Sequence, residues 1–161
     1  MRGRVHRFGP NINTDDIIAG KYKHRTIEPD ELAPHLMENI RPEFASAVRP
    51  GDFVVAGANF GCGSSREQAP QLLRHVGLSA VVAPSFARIF YRNAINIGLL
   101  LVVADTEGVA EGDLLEFDAA EGRLWVTATG WSARTEPLPG ELRDLVAHGG
   151  LLNYVRAGGF R

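Results

Sequence analysis

The stretch Gly57 to Glu67, G-A-N-F-G-C-G-S-S-R-E, decides how this chain reads. The β-forming run Phe53-Val54-Val55-Ala56 leads into it, three glycines (Gly57, Gly61, Gly63) let backbone approach a ligand closely, and Ser64-Ser65-Arg66-Glu67 closes it. That order predicts strand, tight loop, helix start. Ser64 and Glu67 have capping-box spacing, which would begin a helix at Ser64 and aim unpaired N–H groups and a positive dipole end into the loop. A small anion would bind there, and Arg66 would grip a carboxylate through two parallel hydrogen bonds. The same residues also fit a plain structural role, with serines that cap, a glutamate that reaches back and a solvated arginine. Two features favour function. Three glycines in seven residues exceed what a strand-to-helix turn needs. Pro70 falls where a helix capped at Ser64 would want an interior hydrogen bond, so the helix either starts a turn later or kinks there.

Downstream, a helix carrying Leu72, Leu73 and Val76 stops at Gly77, and the continuous apolar run Ser79 to Ala83 reads as a buried strand. Ser85 is placed to cap a helix through Phe86, Ile89, Phe90, Ala94 and Ile97 to Gly98, and Leu99 to Val103 is a third strand. Strand and helix alternating over this span imply right-handed crossovers and a mostly parallel βαβαβ core.

Upstream, Gly3 to Phe8 opens the sheet and Gly9-Pro10-Asn11 turns. Asn13-Thr14-Asp15-Asp16 forms a cap-like cluster before Ile17-Ile18, and Gly20 ends it. Lys21 to Pro29 reads as a loop. A short amphipathic helix runs from Pro29 to Ile40 and another from Glu43 to Val48, before the turn Arg49-Pro50-Gly51-Asp52. Beyond Asp105 the pattern becomes short antiparallel strands at Leu114 to Asp118, Arg123 to Thr129 and Ala133 to Leu138. Helical stretches at Gly140 to His148 and Leu151 to Ala157 close an α/β chain expected to form one domain over residues 1–161.

A net charge of -2 with scattered basic residues disfavours nucleic-acid binding. No stretch has the roughly 20 apolar residues that span a bilayer, and the N-terminus lacks a signal-peptide apolar region, so a cytoplasmic protein is expected. The single cysteine, Cys62, excludes an internal disulfide and cannot alone hold an iron–sulfur cluster, which another chain would have to carry. Nor do the five histidines (His6, His24, His35, His75, His148) show metal-ligand spacing among themselves or with Cys62, and no metal is expected on this chain.

The loop, extended as G-x-N-F-G-C-G-S-S-R-E-Q-A-P, occurs with S-F-A-R-I-F-Y-R-N-A-I-N-I-G at Ser85 to Gly98 and N-T-D-D-I-I-A-G at Asn13 to Gly20. Together these resemble the small subunit of the 3-isopropylmalate dehydratase and homoaconitase family, the counterpart of aconitase's swivelling fourth domain. The resemblance implies a three-layer swivelling β/β/α domain that acts only with a large subunit, as a hydro-lyase isomerising a small malate-type di- or tricarboxylic acid by dehydration and rehydration. The implied activity is 3-isopropylmalate dehydratase of leucine biosynthesis, with homoaconitase of lysine biosynthesis or a citraconate or 2,3-dimethylmalate dehydratase as alternatives. It also implies a 4Fe-4S cluster carried by the large subunit and none bound here. Ser64 matches the family's proton-abstracting serine, and Arg66 the arginine holding a substrate carboxylate. Ser65 and Gly63 belong to the same substrate-binding loop, and Asp15 matches the orienting aspartate of the T-D motif. Arg25 lies where the family places a second substrate-reading arginine, although Y-K-H-R-T is one residue longer than the homoaconitase-type Y-L-R-T.

A hydroxyl is a poor base, so this role requires its alkoxide to be stabilised by helix N–H groups, by Arg66 or by both. Two rival readings remain. A serine hydrolase would pair Ser64 with His75, yet the G-x-S-x-G elbow is missing and His75 would lie about three turns along the same helix. A stand-alone anion-binding module would use the glycine loop for phosphate. Cys62 fits the loop as a small packing residue, and Arg88 and Arg92, one helical turn apart, suit either a partner subunit or solvent.

Overall fold

The β-forming runs on either side of the quoted loop become the parallel half of a seven-stranded sheet in the computed structural model, which describes residues 1–22 and 25–159. The strands are β1 (Arg2–Arg7), β2 (Phe53–Val55), β3 (Ala80–Ala83), β4 (Leu101–Val103), β5 (Leu114–Asp118), β6 (Arg123–Val126) and β7 (Trp131–Arg134). Their order is β4-β3-β2-β1-β5-β6-β7, parallel from β4 to β1 and antiparallel from β1 to β7. Helices α1 (Thr14–Ile17), α2 (Pro29–Leu32), α3 (Phe44–Ala47), α4 (Gln68–His75), α5 (Arg88–Asn96), α6 (Gly140–Ala147) and α7 (Leu151–Arg156) complete the set.

Strand alternation sorts the apolar residues into two cores. Val54, Val81 and Ala83 share one with Phe60, Leu72, Leu73, Phe90 and Ala94, on the helical side of the sheet. Phe53, Val55, Ala80 and Val82 share the other with Leu115, Phe117, Leu124 and Val126 of the antiparallel half. Val102 on edge strand β4 joins that second core although β5 and β6 stand several places away in the strand order. The sheet therefore curls, and its antiparallel half becomes a second β layer under the parallel half, with helices as the third. This is the expected β/β/α arrangement, and it leaves the loop after β2 at the carboxyl edge of the parallel strands, where open α/β sheets hold ligands.

Several local expectations are corrected. The helix after the key loop starts at Gln68, not Ser64, its N-cap Glu67 makes no side-chain cap bond, and Pro70 occupies the first turn, where a missing N–H costs nothing. No Ser64–Glu67 capping box forms, so no helix dipole starts at Ser64. Ser85 does not cap α5, which begins at Arg88 behind Ala87; its Oγ instead accepts the Asn59 N–H at 2.8 Å. The Pro29 to Ile40 helix breaks after Leu32 into a 3-10 turn over Ala33–His35 that contains Pro34, and Met37 takes φ 60. A second 3-10 turn, Gly20–Tyr22, enters the stretch read as loop, in which Lys23 and His24 lie outside the described residues. Strand β6 ends at Val126, short of Thr129, and β7 spans Trp131–Arg134 where Ala133 to Leu138 was expected, because the turn closes at Gly130.

One buried polar pair fixes the turn before β2. Asp52, 7% exposed, lies 2.8 Å from His6 Nε2 and accepts the backbone N–H groups of Arg49 (2.9 Å) and Arg4 (3.2 Å). These bonds satisfy a carboxylate that burial would otherwise penalise.

Candidate active site

The loop after β2 is stitched on both sides. Gly61 N–H donates to the Ile12 carbonyl and Thr14 N–H to the Cys62 carbonyl, each at 2.8 Å, binding the loop to the segment that enters α1. Phe60 N–H donates to the Ser85 carbonyl at 3.1 Å and Ala87 N–H to the Phe60 carbonyl at 2.9 Å, binding it to the segment that enters α5. Two of the glycines are obligatory here. Gly61 has φ 78, and a Cβ would come within 2.2 Å of Phe90 Cγ; Gly63 has φ 93, and a Cβ would lie 2.5 Å from Asn13 Oδ1. The loop packs so closely on α5 at Gly61 and on the α1 cap at Gly63 only because those side chains are missing.

That close approach brings the N-T-D-D motif against S-S-R. Asn13 caps α1 by accepting the Asp15 N–H at 2.8 Å, while Asp16 accepts the Asn13 N–H at 2.9 Å. So held, Thr14 donates its hydroxyl proton to the Ser64 carbonyl at 3.0 Å and lies 3.3 Å from Ser64 Oγ. Arg66 Nη1 donates to Asp15 Oδ1 and, at 2.9 Å, to the Ile18 carbonyl. The Arg66 guanidinium holds the Asp15 carboxyl below the usual carboxylate range, and the Gly20 N–H, 3.1 Å from Oδ1, acts in the same direction. Asp15 thus stays ionised and orients the guanidinium.

Ser64 is exposed at a cleft of about 500 Å³ lined by Gly61, Gly63, Ala87, Arg88, Ile89, Phe90 and Arg92. Ser65 is exposed beside it, and Arg66 is largely buried, its side chain 17% accessible. Of the sequence candidates, then, Gly63, Ser64, Ser65, Arg66 and Asp15 are brought together. Arg25 stands apart: it is exposed, and its backbone N–H donates to the Tyr22 carbonyl at 3.0 Å. Cys62 is half-buried, and its carbonyl is engaged by Thr14. His75 ends α4 and lies 2.9 Å from Asp30, so its imidazole is committed away from Ser64, which is not on that helix. Among the described residues, no three His, Cys, Asp or Glu side chains group so as to hold a metal ion, and no helix is long and apolar enough to cross a membrane.

Two contributors escape a sequence reading. Thr14 lies inside the recognised motif, but only its burial, 1% exposed, and its bond to Ser64 single it out. The second is the anchor of the stretch leading to Arg25. Tyr22 stacks on His35 at 4.2 Å and donates its hydroxyl to Glu38 at 2.8 Å, and Lys21 pairs with Glu38 at 2.9 Å. The Lys21 ammonium, helped by His35 and the Tyr22 hydroxyl, pulls the Glu38 carboxyl down from its ordinary 4.5 to about 2. A carboxyl depressed in the folded state stabilises fully above its unfolded value and loses that contribution as pH falls through the folded value. Glu38→Gln is therefore expected to cost about 1 kcal/mol at pH 7, a difference from the parent that shrinks between pH 4.5 and pH 2 in urea unfolding curves. A pH-independent difference would mean that charge is not what holds this turn.

A family model described as the aconitase C-terminal domain matches residues 6–107. The chain is 48% identical over 159 residues to a 3-isopropylmalate dehydratase small subunit 2 of Archaeoglobus fulgidus, covering 99% of this chain and 96% of that protein. It is 52% identical over 154 residues to a methanogen homoaconitase small subunit of Methanothermobacter thermautotrophicus, covering 96% and 89%. A crystal structure of 3-isopropylmalate dehydratase from Methanocaldococcus jannaschii superposes with a TM-score of 0.91 at 46% identity, over 98% of this chain and 93% of that one.

Proposed function

Since the chain belongs to the aconitase C-terminal domain family, we propose that it is the small subunit of a two-chain 3-isopropylmalate dehydratase, a cytoplasmic hydro-lyase of leucine biosynthesis. The observation that carries this reading is the packing of the S-S-R loop against the N-T-D-D motif, which sets Ser64 against Thr14 and Arg66 against Asp15. Ser64 Oγ would take the proton from the carbon beside a substrate carboxylate, leaving that C–H electron pair to form the double bond as the hydroxyl departs from the adjacent carbon. Arg66, with one nitrogen fixed by Asp15 and Ile18, would offer its remaining N–H groups to a carboxylate, beside Ser65 and the Gly63 backbone. Both events need the acid held in one register.

One thiol does not fit an iron–sulfur cluster, so the 4Fe-4S cluster would belong to the large subunit, where it would supply Lewis-acid chemistry at the leaving hydroxyl. The large subunit would close over the exposed cleft at Ser64. The test is to purify this chain with the large subunit and assay 3-isopropylmalate: turnover by the pair, with none from either chain alone, is the expected result. Failure of the chains to associate would overturn the reading.

The homoaconitase relatives favour a second substrate. Arg25 is an exposed cation where the family reads the distal end of the acid, and a guanidinium facing a bare isopropyl group would be desolvated without compensation. Arg25→Val is expected to move the ratio of kcat/KM for 3-isopropylmalate over homocitrate upward by at least about tenfold. An unchanged ratio would show that this residue does not read the substrate.

A further inference from the structure

We propose that Thr14 is a positioning residue for Ser64, its hydroxyl proton turning from the Ser64 carbonyl to Ser64 Oγ when that oxygen takes up negative charge. The inference rests on the reading of Ser64 as the base and adds the group that tunes it. Thr14 Oγ1 lies 3.0 Å from one Ser64 oxygen and 3.3 Å from the other, so a rotation of its single proton exchanges the two acceptors without moving either residue. A bond from a hydroxyl to an anionic oxygen is shorter and roughly twice as strong as one to a neutral carbonyl, so the exchange favours the alkoxide. The donor is preorganised: Thr14 is 1% exposed, its N–H is fixed to the Cys62 carbonyl at 2.8 Å, and the Asn13 cap sets the start of its helix. No helix N-terminus starts at Ser64, so Thr14 takes up the stabilising task that helix N–H groups were expected to perform.

The charged and titratable groups around Ser64 are Arg88 and Arg92 across the cleft, the Asp15–Arg66 pair beside it, Cys62 two residues back, and Asp16, which is engaged by the Asn13 N–H. Thr14→Val removes the hydroxyl at nearly constant volume and leaves every one of these in place, so a displaced pH profile reports on Ser64.

The experiment uses the complex with the large subunit. Thr14→Val is expected to lower kcat by about 30-fold with KM changed less than about threefold, and to displace the rising limb of kcat against pH upward by about one pH unit. Thr14→Ser, which keeps the hydroxyl, should recover most of the rate and the parent profile. Thr14→Cys, close to serine in size but a poor donor, should behave like Thr14→Val and decides the matter if valine prevents folding. An unmoved profile in the valine or cysteine variant, or a serine variant as slow as either, overturns the proposal. Ser64→Ala is run alongside: if it retains turnover, the reading of Ser64 as base fails, whereas an inert Ser64→Ala beside unmoved Thr14 profiles sinks the positioning role alone.

Discussion

Ser64→Ala, assembled with the large subunit, is expected to lose at least about a thousandfold in kcat while KM for the acid changes by less than about threefold. The split follows from the site. Among the described residues Arg66, held by Asp15 and the Ile18 carbonyl, makes no hydrogen bond to the Ser64 side chain, so carboxylate binding should survive. The lost oxygen is the one that would accept the proton, and among the described residues the ionisable side chains that line the cleft are Arg88 and Arg92, cations that cannot act as bases. Ser64 is exposed and, among the described residues, its side chain's hydrogen-bond contact is the 3.3 Å approach of Thr14, so the thermal midpoint should stay within about 2 °C of the parent. Steady-state kinetics on the purified pair, with a melting curve as control, measure both. Turnover near the parent level would remove Ser64 from the mechanism, and a fall in kcat accompanied by a large fall in the melting midpoint would reassign it to folding.

The parallel half of the sheet was legible because β2, β3 and β4 are continuous apolar runs bounded by glycine and proline, and the crossover helices carry their apolar residues at helical spacing. The start of α4 was not. Ser64 and Glu67 have the right types and spacing for a capping box, but Gly61 and Gly63 turn the loop toward α1, and the Ser64 carbonyl accepts from Thr14 and from the Arg66 N–H two residues on instead of from a helical turn. Tertiary contact overrides a local signal there, at the residues expected to do chemistry. Ser85 fails as a cap for a similar reason, since the Asn59 N–H takes its oxygen first. The triad of Tyr22, His35 and Glu38 had no sequence signature because it joins a 3-10 turn to the end of an interrupted helix across a stretch with no period. Candidate site residues were legible as types and order. What the sequence could not supply was the pairing: fifty-one positions separate Asp15 from Arg66, and nothing in either motif states that one orients the other.

That pairing makes Arg66→Lys the second large effect, and one of opposite kind. The guanidinium spends Nη1 on Asp15 and on the Ile18 carbonyl, and among the described residues no hydrogen bond engages the other edge of its planar fork, the edge that would take a carboxylate. A lysine ammonium can reach one of those anchors but offers a single rotating nitrogen with no second edge, so the anchor and the substrate compete for it. KM is expected to rise at least about 30-fold and kcat to fall about tenfold, giving a loss near 300-fold in kcat/KM, in contrast to the kcat-only loss at Ser64. Asp15 supplies an independent readout. Its carboxyl is held down first by the Arg66 hydrogen bond, so Arg66→Ala should let it titrate back up toward the ordinary aspartate range, with only the Gly20 N–H still favouring the charged form. Following the Asp15 side-chain carbon by NMR between pH 2 and pH 6 measures that shift on the small subunit alone, before any partner or substrate is added. An Asp15 titration that does not move in Arg66→Ala would mean the pair is not formed in solution. A raised kcat/KM, or an unchanged KM, in Arg66→Lys would place the substrate carboxylate on some other cation, and Arg88 and Arg92, across the same cleft from Ser64, would then be the side chains to replace next.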